Sequence, residues 1–93
     1  MRVGAPKEIK NNEFRVGLTP SSVAELRHAG HEVLIEKAAG AGAGVSDEDY
    51  VAAGATLVET PEQIFAAADM IVKVKEPQQQ EVAMLRRGQI LFT

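Results

Sequence analysis

Apolar residues in this chain gather in short runs: Val33-Leu34-Ile35, Ala55-Thr56-Leu57-Val58, Met70-Ile71-Val72 and Ile90-Leu91-Phe92, with a weaker opening run at Arg2-Val3-Gly4. Short apolar runs of this kind predict buried strands, and the helical patterns between them predict alternating β and α elements. Thr19 can cap a helix with Pro20 at its first position, Val23 and Leu26 supply the apolar stripe, and Gly30 ends it. Ser46-Asp47-Glu48-Asp49 and Thr60-Pro61-Glu62-Gln63 read as capping boxes, which places two more helix starts. Gly54 and Gly88 stand where a left-handed terminator is wanted, and Asp69 takes that role after Ala66-Ala67-Ala68.

Short crossovers between buried strands require a parallel sheet covered on both faces, with right-handed connections. The expected fold is therefore α/β: a doubly wound, mostly parallel, five-stranded sheet of flavodoxin-like or Rossmann-like form. The strand-to-helix loops from Ala5 to Leu18 and from Lys37 to Val45 are long, whereas the helix-to-strand joints are short. Both long loops fall on the carboxyl rim of the sheet, where open parallel sheets bind ligands. Lys7, Lys10, Arg15, Lys37, Lys73 and Lys75 all map to that rim, which predicts a positive edge on a negative protein.

Composition narrows the partners. The formal net charge is −3, against the dominant basic field that nucleic acid or an anionic membrane would call for. There is no cysteine, hence no disulfide, thiolate nucleophile or sulfur metal site, and a reducing cytoplasmic setting is the default expectation. No stretch approaches the roughly 20 apolar residues of a membrane span. A chain of 93 residues has room for one small core. Its last run, Ile90-Leu91-Phe92-Thr93, reads as a strand with nothing after it to cover it, so the chain is expected to be part of a larger domain; a natural domain ending in a strand is the alternative.

The lysine strand is the strongest chemical signal. In Met70-Ile71-Val72-Lys73-Val74-Lys75-Glu76-Pro77 two cations share one face just where the strand must stop. Either lysine could meet a small anion in the crevice, Lys75 lying nearer to it; alternatively both guard an exposed sheet edge against aggregation. Arg15 lies in the loop before the Thr19 cap, where its planar fork could take a carboxylate; a surface ion pair with Glu13 or Glu8 is the competing reading. The run Gly40-Ala41-Gly42-Ala43-Gly44 lacks the Gly-x-Gly-x-x-Gly spacing and precedes a helix opening on Asp47, Glu48 and Asp49, which would repel a pyrophosphate. It is read as a flexible rim loop. His28 and His31 flank Gly30 at the opposite rim and make no metal site, and no catalytic constellation can be assembled.

Three segments together resemble the amino-terminal substrate domain of the alanine dehydrogenase and transhydrogenase family: Pro6 to Pro20, Gly42 to Tyr50, and Val72 to Pro77. The closing Gly88 to Thr93 is similar to that family's strand leading into the loop of its catalytic histidine. The resemblance implies that residues 1–93 are the amino-terminal part of a substrate-binding domain, with the dinucleotide-binding domain and the catalytic residues outside this chain. It implies interconversion of L-alanine with pyruvate and ammonia by hydride transfer to or from NAD, in a cytoplasmic homohexamer. Arg15 and Lys75 match the family's substrate-binding cations, and no residue matches a cofactor or metal ligand. Lys75-Glu76-Pro77 favours the dehydrogenase over the corresponding part of the proton-translocating NAD(P) transhydrogenase. A noncatalytic signalling module such as a phosphoacceptor receiver is remote. Glu59 and Thr60 follow the third strand where it needs an aspartate, and Ala5-Pro6-Lys7 stands where it wants acids.

Overall fold

The computed structural model describes residues 1–93. Five strands pair in parallel: β1 (Arg2–Ala5), β2 (Glu32–Glu36), β3 (Thr56–Val58), β4 (Met70–Val72) and β5 (Ile90–Phe92), in the spatial order β3-β2-β1-β4-β5. Every strand of the sequence reading is present. Val3 lies opposite both Val33 and Met70, and Gly4 opposite Leu34 and Ile71, so β1 is the central strand. Sequence order reverses on either side of it, which makes the carboxyl ends of β1 and β4 the crevice where ligands settle in such sheets.

Four α-helices cover the sheet: α1 (Pro20–His28), α2 (Asp47–Ala53), α3 (Pro61–Ala67) and α4 (Gln79–Val82). Their starts follow local chemistry. Thr19 accepts from the backbone of Ser22 with Pro20 in the first turn, and the Ser46/Asp49 and Thr60/Gln63 capping boxes are both closed. Gly30 and Gly54 adopt positive φ after α1 and α2, the conformation an L side chain resists. One apolar cluster, with Val3, Val23, Val33, Ile35 and Tyr50, fills the face under α1 and α2. A second, with Leu34, Ile64, Phe65 and Ile71, fills the face under α3 and draws in Met84 and Leu85. The alternation of Val33 and Ile35 against Leu34 sends neighbouring residues of one strand to opposite layers, as the pleat requires.

Two helix ends differ from expectation. Asp69 is not a left-handed terminator: α3 closes at Ala68 in extended conformation, with φ −80° and ψ 141°. The end needs no such turn because Arg86 and Gln89 donate to the carbonyls of Phe65 and Ala68 at 2.7–3.0 Å, taking up acceptors that a helix end leaves free. Asp69 instead accepts from the Arg2 backbone at 2.7 Å, locking β4 to β1. Gly88 does have positive φ, but it turns the chain into β5 well after α4 has ended at Val82.

Strand β5 is the one thinly covered strand, with Ile90, Leu91 and Phe92 exposed by 49%, 36% and 63%. No helix is long and apolar enough to cross a membrane.

Candidate functional site

The lysine segment leaves the sheet at β4, which is flanked by β1 and β5 and so is not an edge. That removes the aggregation-guard reading for Lys73. The lysines separate by burial. Lys73 is 3% exposed, and its ammonium lies 3.0 Å from Glu8 Oε1 and 3.1 Å from Glu81 Oε2, all three side chains being almost wholly buried. The Glu81 contact is an ion-pair distance without hydrogen-bond alignment, since Oε2 has no hydrogen-bond partner. Glu81 Oε1 accepts from Gln78 N at 2.9 Å and so starts α4. Lys75 is half-buried and its side chain makes no ion pair within 4 Å.

Glu8 organises this turn. Besides the Lys73 ammonium it accepts the backbone N–H groups of Val74 at 3.0 Å and Lys75 at 3.3 Å. A buried carboxylate must have its acceptors satisfied, and with these three donors Glu8 bolts the β1 exit to the β4 exit. The sequence reading considered Glu8 only as a partner for Arg15 and missed this role. The available signal was the demand of any buried lysine for a carboxylate on the same rim. Glu36 was missed as well: its Oε1 accepts from Lys7 N at 2.8 Å, and burial raises its pKa.

Arg15 is brought to the same place by a close backbone approach. A Cβ on Gly17 would stand 2.4 Å from the Val72 carbonyl oxygen, so only glycine lets the 6–19 loop lie against the end of β4. Tyr50, fully buried, donates to the Leu18 carbonyl at 2.6 Å and ties that loop to α2; burial and nearby Asp47 push its phenol up to about 12. Arg15 makes the fork with Glu13 that one of the alternatives anticipated, through Nε at 3.0 Å and Nη2 at 3.0 Å, and its own N–H also donates to Glu13 at 2.9 Å. Hydrogen bonding from Arg15 chiefly, with the charges of Arg15 and Lys75 adding, pulls the Glu13 carboxyl down to about 2. Lys75 therefore lies within electrostatic reach of the carboxylate that Arg15 holds. The segments that carry the two cations, 60 positions apart in sequence, meet at one rim of the sheet, where the Lys75 backbone donates to Glu8 and Glu8 lines a cleft with Glu13 and Arg15.

The uniformly positive rim is corrected. Lys10 pairs with Glu76, Lys37 with Glu59 at 2.5 Å, Arg15 with Glu13 and Lys73 with Glu8 and Glu81. Loops long enough to carry cations there also carry carboxylates to meet them. Lys7 and Lys75 are the rim lysines without an ion pair.

The glycine loop does not fit a dinucleotide phosphate. Residues Ala41–Ala43 form a 3-10 turn, and a Cβ at Gly40 would meet Val45 and Tyr50 at 2.8–2.9 Å, so the glycine serves tight packing of its own chain. Three acids open the helix behind it. His28 and His31 lie at the amino-end rim, where Arg27 donates to the His31 carbonyl at 3.3 Å. No group of three or more His, Cys, Asp or Glu is placed to hold a metal.

A parallel, doubly wound α/β domain of this strand order belongs to the class whose ligands settle at the carboxyl ends of the strands, at the topological switch point. The model of the alanine dehydrogenase/PNT N-terminal domain matches residues 4–93, and the chain belongs to that family. It is 59% identical over its whole length to an alanine dehydrogenase of Mycobacterium tuberculosis and 54% to that of Methanococcus maripaludis, in each case covering 25% of the relative. A solved L-alanine dehydrogenase superposes with a TM-score of 0.96 at 54% identity, over 100% of this chain and 26% of that one. A transhydrogenase from Sinorhizobium meliloti superposes at 0.91 with 34% identity, over 98% and 26%. The chain thus spans about a quarter of the length of the relatives it matches.

Proposed function

We propose that this chain is the substrate-binding part of an NAD-dependent L-alanine dehydrogenase, in which Arg15 and Lys75 together hold the carboxylate of pyruvate or L-alanine. The observation that carries the reading is the meeting of the two segments at one cleft: Arg15 grips Glu13 through two nitrogens, and Lys75 donates its backbone N–H to Glu8, which lines the same cleft as Glu13 and Arg15. A cleft where an arginine already holds one carboxylate can take the carboxylate of a small acid beside it. Lys75, free of an ion pair, can lie against the substrate oxygen and stabilise the negative charge that develops as hydride reaches the α-carbon. Lys73 is spent on Glu8 and Glu81 and plays no direct part. NAD has no fitting cradle among these residues, so its binding and the proton transfers fall to other residues of the complete enzyme, for which a cytoplasmic homohexamer is the accompanying expectation. Higher identity to the dehydrogenases than to the transhydrogenase supports this choice over the transhydrogenase reading.

In the complete enzyme, Arg15→Ala should raise the pyruvate KM by about tenfold or more, the loss expected for charge-assisted bonds to a carboxylate. Lys75→Ala should lower kcat more than it raises KM, because its charge matters most in the transition state. NADH oxidation with pyruvate and ammonium measures both. Unaltered pyruvate kinetics in the Arg15 variant would remove the assignment.

A further inference from the structure

A guanidinium has two edges that can each take a carboxylate through parallel hydrogen bonds. Glu13 occupies one of them, bonding Nε and Nη2 at 3.0 Å each. Nη1 has no partner within the chain, and the Arg15 side chain is 68% exposed while that of Glu13 is 5% exposed. The covered carboxylate fixes the arginine from behind and leaves its outer edge for a ligand. It also changes the charge of the site. Lys7, Lys10, Arg15, Lys73 and Lys75 bring positive charge to this rim and Glu8, Glu13, Glu76 and Glu81 bring negative charge, Glu13 cancelling Arg15 and both Glu8 and Glu81 facing Lys73, which leaves one positive charge in excess. A single uncompensated positive charge suits an acid with one negative charge. A second carboxylate on the ligand would exceed that balance and enter the field of Glu13.

We propose that Glu13 is a positioning and specificity residue: it orients Arg15 and, by cancelling one of the two cations, restricts the site to monocarboxylic acids. The proposal rests on the reading of Arg15 and Lys75 as substrate-binding residues. Propionate and malonate, which carry one and two charges near pH 7, serve as probes in competition with pyruvate on the complete enzyme. Glu13→Gln keeps the shape of the side chain and removes its charge. It should lower the malonate inhibition constant relative to that of propionate by about fivefold or more, the scale of one unit charge a few ångströms away at a protein surface. Glu13→Asp keeps the charge and should keep the wild-type ratio even where a shorter arm disturbs the fork. Glu13→Ser repeats the test should the glutamine variant fail to fold, with thermal melting as the check. A ratio that stays within about twofold in the neutral variants, both inhibitors weakening together, would reduce Glu13 to a structural brace and overturn the proposal. Arg15→Ala separates the two levels. If it leaves both inhibition constants unchanged, the substrate-site reading falls and this inference with it; if it weakens both while the neutral Glu13 variants keep the ratio, this inference alone falls.

Discussion

Lys73 and Lys75 are separated by a single residue and have opposite fates. Sequence pattern places both at the strand exit on one face and cannot rank them by burial, because that depends on which carboxylates arrive from elsewhere in the chain. Glu8 comes from the β1 exit and Glu81 from α4, and together they enclose the Lys73 ammonium. Burying three ionisable groups is costly, and the cost is contained only while each keeps its partner. Lys73→Met should therefore destabilise the fold by about 3–5 kcal/mol, since it strands two buried carboxylates against apolar surroundings. Urea unfolding reads this directly; a loss below about 1 kcal/mol would show that water reaches the cluster and satisfies the acids. The same contrast explains why Arg15 was legible as a candidate with two possible partners, while the choice between them was not. A charged loop residue announces that it will find a counter-ion, and only the path of the loop decides between Glu13 and Glu8.

At the level of elements, local chemistry foretold the starts of α1, α2 and α3 because caps act within three residues of the helix they begin. The end of α3 was misread because its carbonyls are satisfied by Arg86 and Gln89, far along the sequence. Gly17 belongs to the same class of hidden constraint. Within the loop it looks like any flexible glycine, yet its Cα hydrogens face the Val72 carbonyl across the sheet exit. Gly17→Ala should force the loop away from β4, costing about 1–3 kcal/mol of stability in the manner of an overpacked contact. In the complete enzyme it should also weaken pyruvate binding, because Arg15 rides on that loop. Thermal melting together with the pyruvate KM tests it; a stable variant with normal KM would show that the loop is not seated by this contact.

For the molecule as a whole, two apolar layers flank the sheet, but β5 lies beyond their cover, with Ile90 and Phe92 among the exposed large side chains. An exposed apolar edge strand offers unpaired backbone groups and hydrophobic area to another chain. The 93-residue chain on its own should therefore self-associate at micromolar concentration, and Phe92→Lys should shift it toward monomer. Sedimentation velocity distinguishes the two. Equal association of both chains would place the contact elsewhere. The charge pattern of the rim is likewise a property of the assembled fold: Arg15 finds Glu13 within its own loop, yet the neutralisation of Lys10, Lys37 and Lys73 arises only when separate segments meet.

Alternation of apolar runs with capped helical segments was enough to settle a parallel, doubly wound sheet, because strand and helix periodicities and capping are short-range effects written within a few residues. The order β3-β2-β1-β4-β5 was not written there, and with it came the crevice between β1 and β4. Burial of Lys73, the clasp of Glu8 on the 73–75 backbone and the approach of Gly17 to Val72 were decided by packing between segments more than 50 residues apart. Long-range ion pairing and close backbone contact depend on the positions of both partners at once, and no stretch of sequence read alone holds that information.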